Sequence, residues 1–121
     1  MAKSSAYYLQ SLVTSTETVR LAATVATNRF INRSGVHPAS GAYAAGVTQQ
    51  AGVTGDRRTI DTDGISIVEV GAAIASIDLP LTSDATGKAR PATGAEIINA
   101  RALDTATGTG VEFIRVKLVS S

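Results

Sequence analysis

The sequence of 121 residues is long enough for one domain with a hydrophobic core of its own. It contains no cysteine, which excludes disulfides, thiolate nucleophiles and zinc–sulfur sites, and its net charge of +1 indicates neither a nucleic-acid footprint nor attraction to a membrane surface. No apolar run approaches the roughly 18 residues of a membrane span, and residues 1–5 do not lead into a signal-peptide core, so we expect synthesis in the cytoplasm.

Residues 1–16 mix small polar residues with a few apolar ones and show no sustained period. We interpret this segment as an N-terminal arm, and residues 17–121 as a β-rich domain. The arm carries Tyr7, Tyr8, Leu9 and Leu12, and tyrosine is enriched at protein interfaces. Three interpretations stay open: a frayed terminus, an arm that is buried against a partner, or a segment that completes the domain's own sheet.

Strand signals follow from residue 17. Alternation that places Val19, Leu21 and Val25 on one face predicts a first strand beginning at Glu17. A short strand is predicted over residues 43–47, and the glycine within it, at position 46, indicates a bulge or the close approach of another backbone.

The densest strand signal lies in the middle of the chain. Residues 57–61 predict the start of a strand, and Gly64, which follows two aspartates, predicts a turn before the β-branched run of residues 65–70. Residues 71–75 are small enough for one helical turn or a tight crossing. The extended segment of residues 79–82 then leads into Ser83–Gly87, a predicted hairpin turn in which Asp84 caps its own backbone.

The last two segments complete the pattern. In residues 97–103 the sequence predicts that Ile98, Ala100 and Ala102 point inward. Residues 111–119 give the clearest strand, with Ile114, Val116 and Leu118 on its buried face. Short strands separated by Gly, Pro, Asp and Ser turns predict a mainly β protein, either a small antiparallel β-barrel or a β-sandwich.

The sequence offers little for catalysis. His37 is the only histidine, and no neighbouring nucleophile and carboxylate accompany it, so we expect no catalytic residues and no enzyme activity. One histidine and isolated acids such as Asp56, Asp61 and Asp63 do not have the spacing of a metal site. Residues 86–89 lack the first glycine and the hydroxyl of a phosphate-binding loop, so we expect no cofactor.

Four runs of sequence, in this order, resemble the capsid cement (decoration) proteins of tailed bacteriophages. They are IVEVGAAIA at residues 67–75, SDATGKARPA at 83–92, ARALDTA at 100–106 and EFIRVKL at 112–118. The resemblance covers the chain from about residue 17 to its end. In the third run Ala100-Arg101 stands where that family's pattern has a glycine, so the family's tight bend is not predicted there.

The resemblance implies a small β-tulip-like barrel with an extended arm, attached to the outer surface of an icosahedral phage head. It implies that the protein clamps neighbouring subunits of the major capsid protein, commonly as a homotrimer, without binding nucleic acid or membrane. In that setting Tyr7, Tyr8, Leu9 and Leu12 are expected to contact the capsid or an adjacent subunit.

Two other classes of function stay open from the sequence. One is another β-barrel module of a phage virion, such as a tail, fibre-base or adaptor module, which would bind at one vertex or tail position. The other is a small-ligand-binding barrel or an enzyme, which would need a concave pocket with converging polar groups.

Overall fold

A computed structural model describes residues 10–119, which form one antiparallel sheet of eight strands. The strands are β1 (Leu12–Arg20), β2 (Arg29–Ile31), β3 (Gly46–Thr48), β4 (Arg57–Glu69), β5 (Pro80–Ser83), β6 (Ala89–Pro91), β7 (Ala100–Ala102) and β8 (Phe113–Leu118). Within this range there is no helix, and so none of the length and apolarity that a membrane span requires. The predicted mainly β class is confirmed.

The 13-residue strand β4 organises the sheet. β1 lies along one edge of β4, while β3 and β8 share the opposite edge, β3 beside its first half and β8 beside its second half. From β8 the sheet continues through β7 and β5 to β6.

The sheet curls until it nearly closes into a barrel. Val70, just after β4, forms a parallel bridge with Ala89 of β6, and the Gly71 N–H donates to the Ala89 carbonyl at 2.8 Å. A second link joins β2 to the β5–β6 turn, because the Phe30 N–H donates to the Gly87 carbonyl at 2.7 Å. These links confirm the prediction of a small antiparallel β-barrel.

Two hydrophobic clusters lie on opposite faces of β2, β3 and the first half of β4. Phe30 and Ile31 are consecutive in β2 and therefore point to opposite faces. Phe30 belongs to the larger cluster, which fills the barrel, and Ile31 belongs to the smaller one beneath β1. The larger cluster also contains Val68, Ile114 and Val116, and the smaller one also contains Val19, Leu21, Val25 and Ile60.

An extra residue in β4, Thr62, lets this strand serve both clusters, and an extra residue in β1, Thr14, restores the pairing register. The pairing register between β1 and β4 shifts on both sides of the pair Ser15–Asp63, next to Gly64, which has a φ of +92°. A shift of one residue reverses which face each side chain points to. Ile60 therefore faces the smaller cluster, whereas Val68, also even-numbered, faces the larger one.

Several local predictions are confirmed. β5 and β6 form a hairpin, in which the Asp84 carboxylate accepts hydrogen bonds from the Thr86 and Lys88 N–H groups at 2.9 Å, and Gly87 has a φ of +85°. β8 buries Ile114, Val116 and Leu118, as its alternation predicts. Gly46 indeed marks a close approach, since a Cβ there would collide with the Asp61 carbonyl.

Three local predictions are wrong. The first strand begins at Leu12 rather than Glu17 and ends at Arg20, because the Leu21 and Ala22 N–H groups donate instead to residues of two loops. Gly64 does not open a turn, since its positive φ is used by the bulge within β4. Ile98 is 38% exposed, because β7 begins only at Ala100.

Candidate functional site: the β1 edge and its cleft

On one side, β1 has no neighbouring strand among the described residues. β1 pairs with β4 on one side, and no backbone hydrogen bond among residues 10–119 joins its other side. Of its nine side chains only Val19 is buried, and Leu12 at its start is 66% exposed. Strand edges are usually protected by charged side chains, proline, shortness or bulges. β1 is nine residues long and has no proline, but it carries Glu17 and Arg20, and its pairing with β4 is irregular around Ser15. The backbone groups on this side of residues 12–20 thus have no backbone partner within the described part of the chain.

A cleft of about 220 Å³ adjoins this edge. Its lining comes from β1, from β4, from the segment after β2 and from the residue after β8, and consists of Ser15, Glu17, Arg33, Tyr43, Ala45, Thr62, Asp63 and Val119. Glu17 pairs with Ile60 across the ribbon, so the cleft lies on the face that also carries the smaller cluster. The polar cleft therefore borders the smaller cluster and lies next to the outer edge of β1.

An ion pair crosses the cleft. Arg33 donates to both carboxylate oxygens of Glu17, at 3.0 Å and 2.8 Å, and to the Tyr43 hydroxyl at 2.9 Å. The hydrogen bonds that Arg33 donates to Glu17 lower the pKa of Glu17 and raise the pKa of Arg33. Both side chains are largely exposed, so the pair contributes little to stability. The pair leaves two charged groups accessible to solvent at this face, beside the Tyr43 hydroxyl.

A second, weaker pair lies at the other end of the cleft. The Lys117 Nζ is 3.4 Å from Asp63 Oδ1. The pKa of Asp63 is lowered, chiefly by the backbone N–H of Gly64 and then by the charge of Lys117. The N–H that holds Asp63 belongs to the bulge glycine, so the β4 irregularity also orients this carboxylate.

The residues considered for catalysis or metal binding have separate structural partners. His37 Nδ1 lies 2.8 Å from the Phe30 carbonyl, and Nε2 accepts the Ala26 N–H at 3.3 Å, which assigns the ring proton to Nδ1. Asp56 pairs with Arg58, while Asp61 accepts from Gln49 and Ser66. The structure does not bring the three aspartates to one site.

The predicted contact residues divide at the start of the described chain. Leu12 is the first residue of β1 and lies on the open edge. Tyr7, Tyr8 and Leu9 lie outside the described residues. The cleft was not predicted, since its lining joins positions from 15 to 119. No pattern in residues 12–20 of the sequence marks this segment as an edge strand.

No protein-family model matches the chain, and a search of curated proteins finds no match either. Among solved structures, the crystal structure of the N base of head fiber gp8.5 in bacteriophage phi29 is similar to this chain with a TM-score of 0.68. The similarity covers 87% of this chain and 93% of that chain at 17% sequence identity. The two chains therefore share a fold over almost their whole lengths.

Proposed function

We propose that this protein is a structural component of a phage virion that binds the outer surface of the assembled head. The observation that carries the proposal is the shared fold with a head-fiber base, which extends over almost all of both chains. The four sequence runs that resemble phage cement proteins support it independently, because they come from residues and not from fold.

In the cement form of this proposal, the protein binds neighbouring subunits of the major capsid protein and clamps them, as a homotrimer repeated over the shell. It performs no catalysis. Binding only the expanded lattice would stabilise that lattice by mass action, so many weak contacts would suffice. Among residues 10–119, the backbone groups on the outer side of β1 are unpaired, which supports an interaction role.

A second candidate is that the domain is the base of a fibre or another projecting structure. The similar solved structure favours it, since that protein is itself described as a fiber base. In this form the domain attaches at a small number of positions on the virion, and its contacts hold one assembly in place without reinforcing the whole shell.

Cosedimentation with undecorated phage heads tests both forms. The purified protein is mixed with expanded heads, and copies bound per capsid subunit are counted; unexpanded heads serve as the control. About one copy per capsid subunit on expanded heads alone supports the cement form. Saturation at a dozen copies or fewer per head supports the base form, and no binding to either kind of head contradicts the proposed function.

A further inference from the structure

We propose that Arg20 and Arg57 bind two carboxylates on an acidic segment of a partner protein. The two arginines are Cα partners in the antiparallel pairing of β1 with β4, at the end of β1 and the start of β4. The binding requires only this part of the sheet and does not depend on a phage head.

The two arginines lie on a solvent-facing surface that we call the arginine face. It consists of two cross-strand pairs, Arg20 with Arg57 and Thr18 with Thr59. Successive side chains on a strand point to opposite faces. Val19 is buried in the smaller cluster, so its neighbours in β1 point away from that cluster. All four side chains of the arginine face are exposed.

Neither arginine of this face has a partner among residues 10–119. Each of the other arginines and lysines in that range lies within hydrogen-bond or ion-pair distance of a carboxylate or a backbone carbonyl. Asp56, next to Arg57 in sequence, is already engaged, since its carboxylate accepts from Arg58 at 3.1 Å and from the Val53 N–H at 3.0 Å. Like charges directly opposite one another destabilise a β pair, so bound carboxylates would relieve a repulsion between Arg20 and Arg57.

A second pair of opposed cations in the sheet shows the difference. Arg101 of β7 is the Cα partner of Lys117 of β8. There each cation has a partner of its own, because Arg101 donates to the Asp78 carbonyl at 3.2 Å and Lys117 lies 3.4 Å from Asp63. The repulsion between β7 and β8 is therefore offset within the chain, whereas the repulsion at the arginine face is not.

The two ends of the chain bring no acidic side chain to this face. Residues 1–9 and 120–121 contain no aspartate or glutamate. The carboxylate of Glu17, which also belongs to β1, is held by both of its oxygens to Arg33. An acidic side chain that complements the two arginines therefore has to come from another molecule.

The composition of the face favours protein carboxylates over a nucleic acid. The face has two cations and two threonines, whereas grooves for single-stranded nucleic acid combine a row of cations with aromatic side chains. The net charge of +1 supplies no general attraction to a polyanion. A guanidinium, in contrast, matches one carboxylate through two parallel hydrogen bonds.

The spacing of the arginines indicates the form of the acidic segment. Opposed side chains in an antiparallel pair have Cβ atoms about 5 Å apart. Alternate residues of an extended segment lie roughly 6–7 Å apart and on one side of it. Two acidic residues separated by one other residue therefore fit the two arginines.

Titration followed by NMR tests the inference. The isotope-labelled protein is titrated at low salt, where exposed ion pairs are least screened, with the end-blocked peptide SESESES or with SQSQSQS as its uncharged control. We expect SESESES alone to shift the amide signals of residues 18–20 and 57–59 until they saturate. Arg20→Gln and Arg57→Gln should each weaken its binding about three- to fivefold, which is the range for an exposed ion pair. Arg101→Gln removes the same charge elsewhere on the sheet and should weaken binding by less than about twofold.

The melting temperatures of the same variants separate a binding role from a structural one. Because opposed like charges destabilise the β1–β4 pairing, Arg20→Gln and Arg57→Gln should melt at or above the temperature of the natural protein. A clearly lower melting temperature in either variant would mean that the arginines stabilise the fold, and would overturn the inference.

Four binding results would also overturn it. The first is the absence of saturable shifts at the arginine face with SESESES. The second is equal weakening by Arg101→Gln, which would show a response to net charge alone. The third is tighter binding of inorganic phosphate or of a thymidine octanucleotide at this face, which would make it a phosphate site. The fourth is self-association that both Arg57→Gln and Asp78→Asn abolish, since Asp78 is an exposed acid and would make a second copy the occupant.

Discussion

Substitutions at Gly64 and Gly55 distinguish two costs of replacing a glycine, which are backbone strain at positive φ and crowding of the added Cβ. Their φ values are +92° and +95°, but a Cβ on Gly64 would collide with the Leu12 carbonyl, whereas no atom lies within 4 Å of a Cβ on Gly55. We expect Gly55→Ala to cost about 1–2 kcal/mol from its φ alone, and Gly64→Ala to cost about 3 kcal/mol or more because the bulge must also shift. Equal costs in urea unfolding would mean that the bulge is not tightly packed.

The lowered pKa of the Glu96 carboxyl predicts how the stability of the fold changes at acidic pH. Its pKa is lowered from an ordinary 4.5 to about 2, first by the Arg90 side chain and then by the Thr93 N–H. A carboxyl with a lower pKa in the folded state stabilises the fold above pH 4.5, and this stabilisation is lost as pH falls toward 2. We expect Glu96→Gln to flatten the decline in melting temperature across that range. If the slope is unchanged in Glu96→Gln, the pKa of Glu96 does not differ between the folded and unfolded states.

At the scale of elements, β8 gives a direct test of the assigned faces. Val116 is fully buried in the larger cluster, and Val119, just past the strand, is 39% exposed. We expect Val116→Asp to abolish the cooperative melt, because a charge would be buried without a partner; Ile114→Asp should act alike. Val119→Asp is the control and should melt close to the natural protein. A cooperative melt of Val116→Asp would contradict the assignment.

Elements set by nearby residues were predictable, and those set by distant partners were not. The hydrogen bonds of the turn at residues 83–87 join Asp84 to Thr86 and Lys88, which are its neighbours in sequence. The alternation of buried and more exposed side chains in β8 is likewise visible in its own sequence. Gly64 is different, since a turn and a bulge use the same positive φ. Only its pairing with residues near Leu12, far away in sequence, decides that it lies inside a strand. The exposure of Ile98 likewise depends on where β7 begins.

At the scale of the whole molecule, the proposed function predicts that folding and head binding can be separated. Deleting residues 1–9 leaves all eight described strands, so we expect a cooperative melt near that of the full chain together with loss of head binding. Deleting residues 1–14 also removes the start of β1, and we expect a somewhat lower melting temperature with the same loss. Circular dichroism and cosedimentation measure the two properties. Unfolding after the shorter deletion, or undiminished binding, would contradict this division.

The candidate site, like the bulge at Gly64, depends on contacts between residues that are far apart in the sequence. An interaction arm was one of three interpretations of residues 1–16, and it stays a prediction; the structure shows only that Leu12 is exposed at the start of β1. The edge itself could not be predicted, because a strand is an edge only through the absence of a neighbour. The cleft depends on Tyr43 and Val119 meeting β1, which no local pattern encodes.

The division into two hydrophobic clusters has a consequence for dynamics. The smaller cluster contains Val19 and Ile60 and is closed by β1, whereas Val68 and Val116 belong to the larger cluster. Small clusters open locally at lower free energy than a main core. Amide hydrogens of residues 57–61 should therefore exchange faster than those of residues 66–69, although both lie in one strand. A strand bound to the outer edge of β1 would slow exchange in residues 57–61 but not in residues 66–69. Amide exchange along β4 would therefore show whether that edge is occupied.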